Sequence, residues 1–320
     1  MNKNVAYVLD INKYNTAGLS IAEGFKYAYN TNGYVCDLFD IKDFKKSLFV
    51  FNRNKKFEEF RPSVIMTSVE MLEQIPLEKL SSTTFFLWGQ FYEPASLEDQ
   101  IVTISNKTKS FLNRFKDKHR FIIWSQHSNE INDTYFKGYV TELGLEFTQL
   151  IHCADERLFA IPSITQTYDF AWVGNINHRK SEYDKYITPL KLITNRFKEL
   201  TDSAGFTSFE EKKRIYSTSV LSPNIHTKAQ KDFQILLNER VFASTLAGGF
   251  QVCDIDLAKE YFTPEEMHIT ENPFEYLEIC KHYLKHPEQR IEYILKGQDK
   301  ILKEHTYTSR VKYLTSLLKN

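Results

Sequence analysis

Short apolar runs alternate with amphipathic stretches along the first half of the chain. Residues 5–9, 34–39, 63–68, 84–88, 121–125 and 147–151 each have the length and composition of a strand, with helical or loop stretches between them. Residues 19–29 form the clearest amphipathic helix. Strands alternating with helices predict a parallel sheet with right-handed crossovers. The pattern breaks at 161–169, where Pro, Ser and Thr intervene, and an interdomain linker is expected there. A second alternation begins at 170–173. It continues through one long helix over 181–197, a helix over 209–217 and a strand over 219–225. A strand over 267–270 and helices from 273 to 318 close the chain. Two domains follow, 1–165 and 166–320, a natural division for 320 residues.

The stretch 236–254, LLNERVFASTLAGGFQVCD, carries the sharpest local pattern. Leu236, Leu237, Val241, Phe242 and Leu246 recur at helical spacing, Gly248 and Gly249 stop the helix, and 250–253 is a short apolar strand. Asn238, Glu239 and Arg240 fall near the helix start, where free amides and the dipole favour an anion. The arrangement suits a nucleotide diphosphate.

Asn238, Arg240, Phe242, Gly248, Gly249, Phe250 and Asp254 resemble the N-x-R-x-F-E-x-x-A-x-G-G-F run, and the strand after it, of CgeB-like glycosyltransferases. Leu284, His286, Pro287 and Arg290 are similar to that family's L-x-H-P-x-x-R helix end. Glu304, His305, Thr306, Tyr307 and Arg310 are similar to its E-H-T-Y-x-x-R signature. Upstream, Val173-Gly174-Asn175 with Arg179 resembles its V-G-N turn. The resemblance spans roughly residues 168–318. It implies an α/β protein with two Rossmann-like domains facing across a cleft (the GT-B fold), parallel sheets flanked by helices. It also implies a first domain for the acceptor, a second for a nucleotide-sugar donor, and a last helix that crosses back onto the first domain. Where the family has an acidic residue after the Phe, this chain has Ala243.

Charge changes the picture only by exclusion. With 41 basic and 41 acidic residues, no general field recruits nucleic acid or anionic membrane, so any anion site is local. Cys36, Cys153, Cys253 and Cys280 lie far apart, which argues against a disulfide framework or zinc site. Without a long apolar segment, a cytoplasmic protein with no membrane span is expected.

A leaving diphosphate needs fixed positive groups and amides. Gly174, Asn175 and Arg179 at one strand-to-helix turn, and Arg240 at another, are the candidates, since ligands collect beyond the carboxyl ends of parallel strands. Gly174, Gly248 and Gly249 are expected to let the backbone approach the donor closely. Glu239 is expected to contact the ribose in place of the missing acidic residue. Asn224 and His226 read equally as donor-pocket residues and as an ordinary strand end. In the first domain Gly18, Trp88 and Gln126 are candidates for acceptor or sugar, and His127 for a general base. Asp254 and Asp256 form a D-x-D pattern, read as a strand-end and a loop carboxylate rather than metal ligands. The expected activity is metal-independent transfer from a nucleotide-diphosphate sugar, a UDP-sugar foremost, to a glycan, protein or small-molecule acceptor, with no separate cofactor. The alternatives are an inactive nucleotide- or sugar-binding homologue and a nucleotide-sugar epimerase.

Overall fold

Strand β1 (Asn4–Leu9) pairs in parallel with β2 (Val35–Asp40) on one side and β3 (Val64–Ser68) on the other. Strands β4 (Thr84–Trp88), β5 (Arg120–Ser125) and β6 (Glu146–Gln149) extend the sheet from β3, giving the order β2-β1-β3-β4-β5-β6. The interior strands are almost wholly buried, as the apolar runs Val5–Leu9 and Phe121–Trp124 require when helices cover both faces. The structure is a computed structural model and describes residues 2–11, 17–44, 55–89, 105–126, 136–201, 208–234 and 236–319. The chain falls into two compact units, Met1–Ile151 with Val311–Asn320, and His152–Arg310.

The expected return of the last helix is seen. The C-terminal half of the helix Tyr307–Leu317 belongs to the first unit, where the Leu317 carbonyl accepts from Arg120 Nη1 (2.6 Å) and Tyr313 bonds the Thr148 hydroxyl (2.6 Å).

In the second unit β7 (Tyr168–Val173) lies between β8 (Phe197–Leu200) and β9 (Ser219–Leu221), all parallel. Past β9 the chain runs beside residues 250–253: Ser222 N donates to the Phe250 carbonyl (2.6 Å) and Asn224 N to that of Val252 (3.3 Å). An Asn224–Cys253 bridge carries the sheet on to β10 (Val252–Cys253), which pairs with β11 (His268–Ile269). No helix among the described residues is long and apolar enough to cross a membrane.

Two expectations are corrected. The helix expected over 181–197 is two helices, Lys180–Tyr186 and Thr188–Lys191, followed by β8. Pro189 starts the second helix because its missing N–H and ring disfavour continuation of the first. Strand β8 escapes a pattern search because Phe-Lys-Glu-Leu on a sheet edge is only half-buried. The segment 161–169, expected to link two domains, lies inside the second unit. Its Ser and Thr residues look loop-like, yet Ser163 N and Thr167 N donate to the Ser217 and Thr218 carbonyls, and the Ser163 carbonyl accepts from buried Arg290 Nη2 (2.7 Å).

Candidate functional site

Beyond the carboxyl ends of β7, β9 and β10, Val173, Ile225 and Asp254 bring three strand ends together. Arg240, the first residue of the helix Arg240–Leu246, lies half-buried over two of them. Its Nη1 donates to the Val173 carbonyl (2.9 Å) and its Nη2 to that of Ile225 (3.2 Å). The guanidinium carbon sits 4.3 Å from the centroid of the Trp172 ring. Trp172 is fully buried, and its indole N–H donates to the Gly174 carbonyl (3.0 Å). Cation, ring and strand end are thereby held as one layer.

Arg179 closes the 3-10 turn Asn177–Arg179, shaped by Asn175, whose Oδ1 accepts from Asn177 N (2.7 Å). Burial, and then repulsion from Arg179, bring the Arg240 guanidinium down to about 9, which leaves it charged at neutral pH. Arg179 and Arg240 are thus within electrostatic reach of each other near these strand ends. An anion placed there relieves their repulsion, and phosphate oxygens match guanidinium geometry.

A buried polar network lies behind the pair. His226 and Asp254 are wholly buried. Asp254 Oδ1 accepts from His226 N (2.9 Å) and from its Nδ1 (2.8 Å), while His226 Nε2 accepts from Asn238 N (3.1 Å). Asn238 Nδ2 donates to the same Ile225 carbonyl that Arg240 uses (2.9 Å). Lys231 Nζ stands 3.6 Å from Asp254 Oδ2 and bonds Glu182 (2.9 Å) and the Tyr186 hydroxyl (2.8 Å). Burial depresses the ammonium, but Asp254, Tyr186 and Glu182 outweigh it and hold its pKa above the ordinary lysine value.

His226, Cys253 and Asp254 each bring one potential metal-ligating atom within 4.8 Å of the others. The donor set does not suit a cation: the imidazole and carboxylate bond each other, and burial pushes the Cys253 thiol up, favouring S–H over thiolate. Asp256, the other half of the D-x-D pattern, is exposed and pairs with Lys259 (2.7 Å).

The predicted donor residues therefore divide. Gly174, Asn175, Arg179, Asn238, Glu239 and Arg240 gather at the carboxyl edge of the sheet. His226 and Asn224 lie there too, but turned inward. Both His226 ring nitrogens have protein partners, and buried Asn224 donates to Gln251 Oε1 (3.0 Å). Gly248 and Gly249 are at the far end of the helix, at the opposite edge, and do not approach a ligand beside Arg240. A Cβ on Gly248 would stand 2.9 Å from the Ala160 carbonyl oxygen, and one on Gly249 2.5 Å from Ser222 Oγ. They make the turn into β10. Glu239 precedes Arg240, and burial pushes its carboxyl up to about 7, with Lys212 opposing. Ala243, one turn on, is half-buried.

In the first unit, Gly18 lies in the first turn of the helix Ala17–Thr31, Trp88 ends β4 and Gln126 follows β5, so all three border one carboxyl edge. Trp88 stacks on Trp124 (5.6 Å, 9°), and buried Gln126 offers its carbonyl to Gln149 Nε2 (3.2 Å). His127 lies outside the described residues. Sequence reasoning missed Lys231, Glu182 and Trp172. The first two read as surface charges, and only the tertiary contacts show Glu182 buried and Lys231 largely covered. A separate cavity of about 490 Å³, lined by Lys259, Tyr261, His268, Glu275 and Lys300 among others, contains no residue of the arginine site.

The glycosyl transferase-like family model matches residues 156–316. A search of curated protein sequences finds no match. Among solved structures, an α-glucosyltransferase in complex with UDP-glucose and DNA containing an abasic site superposes with a TM-score of 0.64 at 11% identity, covering 100% of both chains. A UDP-forming α,α-trehalose-phosphate synthase from Burkholderia xenovorans gives 0.55 at 10% identity, covering 99% of each chain. An α1,3-fucosyltransferase gives 0.51 at 7% identity, covering 100% of this chain and 90% of the other. These likenesses establish the fold, which is that of GT-B glycosyltransferases.

Proposed function

The chain belongs to the glycosyl transferase-like family, and from that premise we propose that it moves a sugar from a nucleotide diphosphate, a UDP-sugar foremost, to an acceptor hydroxyl without a metal ion. We also propose that it is of the CgeB-like type. The observation that carries the reading is Arg240 laid on Trp172 and bonded across two strand ends, within electrostatic reach of Arg179. An α-glucosyltransferase bound to UDP-glucose and a UDP-forming trehalose-phosphate synthase share this fold, which supports the choice of donor.

In this reaction the bond from the anomeric carbon to the β-phosphate oxygen breaks, and its electron pair goes to the diphosphate. The acceptor oxygen bonds to the anomeric carbon and gives up its proton. The two guanidiniums meet the charge that grows on the leaving group, fixed in place before the reaction begins. Glu239 would hold the ribose. In an inverting reaction His127 would take the proton as base; in a retaining one the departing phosphate could take it.

Ala243 favours a second reading, a homologue that binds the donor without turnover. Incubation with labelled UDP-, GDP- and dTDP-sugars separates the cases. Hydrolysis or transfer supports the transferase, binding without product supports the second reading, and an altered sugar nucleotide marks an epimerase. No binding of any donor defeats the proposal.

A further inference from the structure

The arginine site needs its two guanidiniums at a fixed separation, yet they come from elements far apart in sequence. Buried contacts connect those elements. Glu182, on the helix that follows Arg179, bonds Lys231; Lys231 pairs with Asp254; Asp254 accepts from His226; and His226 accepts from the Asn238 amide, two residues before Arg240. His226 is a joint of this chain because it binds both Asp254 at a strand end and the Asn238 amide in the segment leading into the Arg240 helix.

Only one form of the imidazole fits. The Asn238 backbone N–H can only donate, so Nε2 carries no proton; the proton is then on Nδ1, donated to Asp254. A second proton, on Nε2, would set two N–H groups against each other at 3.1 Å and push the Asn238 segment away. The groups beside the ring are Cys253 at the end of β10 and Asp254 just after it, with Lys231 behind Asp254; Arg240 and Arg179 act on it electrostatically. Burial, Arg240 and Arg179 disfavour a second proton and Asp254 favours it, with the net effect downward from the ordinary histidine value.

We propose that His226, neutral and protonated on Nδ1, is a positioning residue for the donor diphosphate: by holding the Asn238 amide through Nε2 it fixes where Arg240 presents its guanidinium. This rests on the reading that Arg240 binds the diphosphate. His226 touches no substrate, and its effect passes through Asn238.

The test compares UDP binding by calorimetry in the full chain and three variants. His226→Gln keeps an acceptor near the Nε2 position, His226→Asn keeps only a donor toward Asp254, and His226→Leu keeps volume without either. The expected result is that Gln stays within a few-fold of wild type while Asn and Leu each lose about tenfold or more. Equal affinity of the Gln and Leu variants overturns the role of His226, since volume alone would then suffice. Ring ¹⁵N spectra of the wild type give an answer independent of variant folding. A protonated Nδ1 and bare Nε2, persisting below the ordinary imidazole range, are expected, and a proton on Nε2 at neutral pH overturns the proposal. Wild type that binds none of UDP, GDP or dTDP removes the donor reading and this role with it; wild-type binding with indifferent variants removes this role alone.

Discussion

Gly174 is kept small by Arg240: a Cβ built on the glycine would lie 2.6 Å from Arg240 Nη1 and 3.2 Å from the guanidinium carbon. The glycine also has a φ of +150°, which side chains rarely adopt. The V-G-N turn therefore makes room for a protein cation. That cation is the group proposed to face the phosphates.

Gly174→Ala is expected to displace the Arg240 guanidinium and weaken UDP binding about tenfold, the equivalent of roughly 1.4 kcal/mol. Titration calorimetry on the folded variant measures it. Unchanged affinity would separate the glycine from the site.

Gly248→Ala provides the contrast. Its φ of +83° and the Ala160 carbonyl oxygen 2.9 Å from the new Cβ predict a loss of about 1–3 kcal/mol in stability. Its distance from the strand ends predicts near-normal UDP affinity in the folded fraction. Chemical denaturation and calorimetry together check both halves. Lost affinity at full stability would return the glycine pair to the donor site.

Arg240→Ala is expected to cost about 2 kcal/mol of UDP binding, roughly thirtyfold, as charge-assisted bonds are lost. Arg240→Lys keeps the charge but not the planar fork that spans the Val173 and Ile225 carbonyls, so an intermediate loss is expected. Full affinity with lysine would show that charge alone matters.

Glu239 gives a pH signature. Its carboxyl, pushed by burial to about 7, is raised above its value in the unfolded chain, so the folded state binds the proton more tightly. The associated stability is present below the unfolded pKa and is lost as pH rises through about 7. Glu239→Gln removes this loss. Its melting temperature should therefore gain on wild type between pH 5 and pH 8, as read by scanning calorimetry. A constant difference across that range would contradict the assignment.

Much of the carboxyl edge around Arg240 is legible in the sequence. Val173-Gly174-Asn175 and Asn238 to Arg240 each mark a strand or helix end, and chain order places both at the carboxyl edge of a parallel sheet. Gly248 and Gly249 stop the helix, as the sequence predicts, and lie at its end away from Arg240. A helix spans the layer from one sheet edge to the other, so residues at its two ends cannot serve the same edge. Lys231 and Glu182 gave no signal, because charged residues on amphipathic helices usually face water.

By itself the sequence determined the alternating α/β architecture of the two units and the nature of the strand-to-helix turns, since burial periodicity and backbone permissiveness are local properties of neighbouring residues. The tertiary structure alone decided that Arg240 rests on Trp172 above Gly174, and that His226 faces inward between Asp254 and Asn238. Those pairings join residues 12 to 68 positions apart, and which polar groups meet across such separations is fixed only when the sheet brings its strand ends together.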